Sequence, residues 1–126
     1  MDVFRAFPNA VVSGVWQISA SQRGGLIGTV FDAENAVGLD VIVDEGNATT
    51  IDSAPNAEPL DADLLIYVQP AQLPTTNTRA LVAGYLLYDS ENDDYFAIVD
   101  ASVGKNQETG EIEHIELLVK QTEVVQ

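Results

Sequence analysis

A chain of 126 residues with twenty Asp and Glu against five Lys and Arg, net −15, lacks the cations to build a phosphate-binding face, and an anionic membrane surface repels it. Its 46% hydrophobic content still supplies apolar surface for one folded domain around one core. The absence of cysteine excludes disulfides, thiolate catalysis and cysteine-ligated metal centres.

Residues 2–7 have the makings of one helical turn, which Pro8 ends because the residue before a proline avoids the α region. Residues 1–9 are therefore expected to form a short N-terminal arm. Asp2 and Arg5 interrupt any signal-peptide run there, and no apolar run reaches the length of a membrane span, so synthesis in a cytoplasm is expected. Residues 10–19, rich in β-branched side chains and holding Trp16, predict a first strand, with Gly14 marking a bulge or a close backbone approach. A turn over 22–25 leads to a second strand over 26–31. In a third strand over 37–43, Val37, Leu39, Val41 and Val43 share one face and Gly38, Asp40 and Ile42 the other.

Residues 44–63 break this pattern. They are polar, acidic and interrupted by prolines, with at most a short strand over 48–51, and loops this long in a small domain are functional or disordered. Asp44, Glu45, Asp52, Glu58, Asp61 and Asp63 are the acids of this loop and its candidate functional residues. Cleavage by protease in the free protein and protection after assembly are expected of it. Leu64–Val68 reads as a buried strand, and 69–78, with Pro70 and Pro74, as an extended crossing loop. The last third reads as a meander of three strands, over 79–88, 95–102 and 112–121. They are joined by connectors over 89–94 and 104–110 made of turn-forming Asp, Asn and Gly. No window carries a sustained helical period. The fold class expected is a single all-β domain over 1–126, a small antiparallel β-barrel or sandwich with a C-terminal meander and a long acidic loop.

No constellation argues for catalysis, a metal or a cofactor. His114 is the only histidine, set between Glu113 and Glu116 on a strand position expected to face solvent. Asp89, Glu91 and Asp93 sit at EF-hand-like spacing, but Asp94 stands where the calcium loop needs glycine, so a solvated hairpin tip is expected. The glycines at 24, 25 and 28 and the Gly104–Lys105 pair lack the spacing of a phosphate loop and read as turns. Trp16, Phe31, Tyr67, Tyr85, Tyr88, Tyr95 and Phe96 all fall in predicted strands, which points to a core or interface role.

Three stretches carry a family resemblance: residues 28–32 (Gly-Thr-Val-Phe-Asp), the hairpin of 79–89 with 95–101, and the Leu-rich strand 115–120. Together they resemble the head–tail stopper, or head-completion, proteins of long-tailed phages. The resemblance implies a small β-barrel virion protein, made in the host cytoplasm, that assembles as a homo-oligomeric ring. That ring would close the DNA channel beneath the portal-side adaptor and offer the tail its attachment platform, without catalysis or specific DNA binding. A long loop between core strands projects into the channel in that family, and 44–63 matches it by position. The chain differs from the shorter members in its extended acidic loop and its lack of a convincing helix. Alternative readings are a tail terminator, a head decoration protein, a small ligand-binding β-sandwich, or a hydrolase working through carboxylates.

Overall fold

The computed structural model of the chain describes residues 3–23, 29–45 and 62–124. Among the described residues the strands are β1 (Val12–Arg23), β2 (Thr29–Phe31), β3 (Val37–Asp44), β4 (Leu64–Val68), β5 (Tyr85–Asp89), β6 (Asp94–Lys105) and β7 (Ile112–Thr122). Neighbours run β1-β3-β4-β7-β6-β5, and β5 returns to β1, so six antiparallel strands close a barrel while β2 adds to the outer end of β1. Barrel or sandwich is thus resolved as a closed barrel plus one extra strand. Closure removes the unpaired edges that an open sheet of these strands would present.

Alternation fills the interior. On β7 Ile115, Leu117 and Val119 point inward and are fully buried, opposite Val68, Ile66 and Leu64 of β4. Trp16 meets Phe96 across the core with ring centroids 5.4 Å apart. The register of β6 against β7 shifts between Ile98 and Asp100, a bulge at Val99 that exchanges which parity faces in. Phe96 and Ile98 therefore point inward before it and Ala101 after it. Gly14 takes the bulge of β1: its φ is +78°, and the register against β3 shifts between Val12 and Trp16.

Most strand expectations that fall on described residues are met, with longer strands at the hairpins; Gln22 and Arg23 belong to β1 rather than to the expected turn, and residues 24–28 and the possible strand over 48–51 lie outside the described residues. The change from strand to helix lies in 79–88, expected as a single strand. There the chain forms a helix, α2 (Thr78–Gly84), and only then β5. Asn77 caps it, its side-chain oxygen accepting from the Arg79 and Ala80 backbone N–H groups at 3.1 and 3.3 Å. Leu81, at 0% exposure, enters the core and closes that end of the barrel. Asn77→Ala is expected to lower stability by about 1 kcal/mol, read as a shifted urea midpoint at unchanged slope.

Beside this end, the crossing loop contains a single 3-10 turn, Pro70–Gln72, clamped to β3 by a reciprocal pair. The Asp40 N–H donates to Gln72 Oε1 at 2.8 Å, and Gln72 Nε2 donates to Asp40 Oδ2 at 2.9 Å. Hydrogen bonds from Ser13 and then Gln72 hold the Asp40 carboxyl below its ordinary value. A depressed carboxyl stabilises the fold above the ordinary carboxylate range and loses that contribution as pH falls through its folded-state value. The stability gap between the native chain and Asp40→Asn, no more than about 1 kcal/mol at neutral pH because solvent screens this carboxyl, should therefore close on acidification in paired thermal melts.

Two further expectations are corrected. Val37 does not join the buried face of β3: it opens the strand, paired with Ile18 of β1, and is 43% exposed. Gly104 and Lys105 lie in β6 rather than in the connector, and the turn falls between Asn106 and Glu111.

Candidate functional site

The end opposite Leu81 is the mouth of the barrel, where β3 stops, β4 starts and β5 turns into β6. Its opening, of about 360 Å³, has Trp16, Phe96, Val12 and Leu64 on its walls and Glu45, Glu91 and Asp94 among its rim. Two acidic stretches far apart in sequence meet here: the root of the 44–63 loop and the β5–β6 turn. From sequence alone the turn is a solvated hairpin tip with no tie to that loop. Only the pairing of β1 with both β3 and β5, Trp16 opposite Leu39 on one side and Asp89 on the other, brings the two together.

The six loop acids have different situations. Asp44 ends β3 half-buried, paired with Leu65, and Glu45 is exposed beside it. Asp63 fastens the chain where it re-enters the barrel: its N–H donates to the Val119 carbonyl at 2.8 Å, and its carboxylate accepts from the Gln121 N–H at 2.7 Å. Asp52, Glu58 and Asp61 lie outside the described residues.

In the β5–β6 turn, Asp89 is buried rather than solvated, at 6% exposure. Its carboxylate accepts from the Glu91 and Asn92 N–H groups and from Asn92 Nδ2, at 3.0, 3.4 and 2.8 Å. These donors make it the organiser of the turn. Ser90 then ties the tip to β1, its N–H and hydroxyl both donating to the Val15 carbonyl. Asp93 takes a left-handed φ of 54°, which Asp tolerates. Among the described residues no three His, Asp or Glu side chains are placed to hold a metal ion.

On the outer wall, the N-terminal arm lies over the face of β3 and β4. Its helix α1 (Val3–Ala6) buries Phe4, and the 3-10 turn Pro8–Ala10 follows. Phe7 between them is 54% exposed. Arm and barrel bound a groove of about 530 Å³ lined by Phe7, Ala10, Ile42, Tyr67, Asp44 and Glu45. Val43 and Glu45 line both this groove and the mouth, so the two adjoin at the end of β3. Burial, and then the carboxylates of Glu116 and Asp44, push the Tyr67 phenol above its ordinary value.

His114 belongs to the same wall and is not solvent-facing as expected. Its side chain is 12% exposed, with Nε2 3.1 Å from Glu116 Oε1 and the ring edge-on to Tyr67 at 5.5 Å between centroids. The imidazole lies over Gly104, its cross-strand partner, in space that any side chain at that position would occupy. Alternation along β7 was read correctly, but the glycine opposite, which makes room for the ring, depends on register.

No family model, curated protein or solved structure matches the chain at a significant level.

Proposed function

We propose that the protein is a structural component of a long-tailed phage virion, one subunit of a homo-oligomeric ring at the head–tail junction. The ring closes the DNA channel, contacting a portal-side adaptor above and a tail protein below. The observation that supports this reading best is the polarity of the barrel. One end is closed by α2, and the other gathers the Asp44–Glu45 loop root and the Glu91–Asp94 turn around an open mouth. Summed around a ring, that end presents DNA with a wall of like charge, which keeps the duplex from adhering where it must pass. Within the ring, repulsion between neighbours is screened over about 8 Å at physiological salt.

Electron microscopy of lysates from the source virus with an early stop codon in this gene tests the assignment. Filled or leaking heads beside free, complete tails are the expected result. Joined head–tail particles would remove the protein from the junction.

A further inference from the structure

The groove and the mouth that adjoins it have a polarity of their own. Along the outer face of β3, Ile42 and Asp44 occupy successive positions, since residues two apart in a strand share a face. Ile42, with Tyr67 beside it and Phe7 and Ala10 above, makes an apolar floor, and Asp44 and Glu45 follow immediately. Glu45 also belongs to the adjoining mouth, whose lining includes Glu91 and Asp94. Phe7 holds its ring half in solvent at the groove's edge, an aromatic wall against which an apolar side chain can pack.

We propose that this surface is a docking site for a short extended segment of a partner protein, in which an apolar side chain is followed two positions later by Lys or Arg. The apolar side chain enters between Phe7 and Tyr67, and the basic one meets Asp44 and Glu45. A further basic residue reaches Glu91 and Asp94 at the mouth. An extended chain repeats its side-chain direction every second residue, the spacing that separates Ile42 from Asp44. Charge decides against a second copy as the occupant, because a chain of net −15 brings the wrong sign to an acidic surface. The site is independent of the virion reading and survives its failure.

The probe is a fluorescein-labelled peptide repeating Leu-Ser-Lys-Ser, titrated with the full chain by fluorescence anisotropy at about 0.15 M salt. Two controls accompany it, one with each Leu replaced by Ser and one with each Lys replaced by Glu. Saturable binding of the parent peptide is expected, with both controls weaker by roughly tenfold or more. Phe7→Ser and Glu45→Lys, both at exposed positions, should each weaken it by a similar factor while circular dichroism and the melting temperature stay unchanged. Amide shifts on titration should centre on Phe7, Ala10, the end of β3 and Tyr67. Equal binding of the Leu-free control would reduce the effect to bulk charge and overturn the proposal. Absence of binding, or binding indifferent to both substitutions, would do the same.

Discussion

Leu81→Ala lowers the stability of the domain by about 2–5 kcal/mol, the range for removing a fully buried leucine. Leu81 is the one buried residue of α2 and belongs to the main core with Trp16, Leu87 and Leu117. A helix of seven residues has no stability of its own. It is held by what it packs against, chiefly β6 and to a lesser degree β1 and β5. Truncating Leu81 removes the contact that fixes the helix and opens the sealed end of the barrel to water. Urea denaturation measures the loss, and hydrogen exchange should show the amides of α2 losing protection ahead of the barrel strands. Val82→Ala, one residue on and 39% exposed, serves as the control and should change stability by no more than about 0.5 kcal/mol. A Leu81→Ala variant as stable as that control would show that α2 is not a structural closure.

Gly104→Ala is expected to destabilise by about 1–3 kcal/mol, as overpacking does. A methyl group there collides with the His114 imidazole, which Tyr67 and Glu116 hold from its other sides. The ring must leave its place, losing the contact with Glu116 and its edge-on packing. In a His114→Ser background the obstacle is absent and the sign should reverse. Alanine is preferred to glycine within a strand by roughly 0.5–1 kcal/mol, so the second substitution should then be neutral or stabilising. The double-mutant cycle reads this coupling directly. Equal effects of Gly104→Ala in both backgrounds would place the cause in the backbone of β6 rather than in the imidazole.

The strands were legible because their chemistry is local. Leu64–Val68 and the alternating Ile115, Leu117 and Val119 declare themselves by composition and period, and Gly14 within a strand pattern signals a bulge or a close backbone approach, of which the structure has the bulge. The helix α2 was not legible, since two turns are too few to show a 3.6-residue period and its Leu81 and Val82 read equally well as strand. The signal available was Asn77 as a cap before a run of helix-compatible residues. What joined distant stretches was hidden more thoroughly. The meeting of Glu45 with Glu91, the covering of His114, and the shared wall of groove and mouth all follow from which strands pair and in what register. Sequence periodicity assigns a residue to a face but not to a neighbour.

The position of the acidic loop has a consequence for how such a protein can change. Asp44 and Leu65 are cross-strand partners, and Asp63 is pinned to β7, so the chain leaves the barrel and returns at almost the same place. The free energy of closing a loop rises only with the logarithm of its length, about 0.6 kcal/mol for each doubling. Closure itself therefore adds little cost for insertions, deletions or wholesale exchange between Glu45 and Ala62. Descendants of one such gene can diverge freely in what this segment meets while inheriting the same scaffold, and an epitope or sensor grafted there inherits it too.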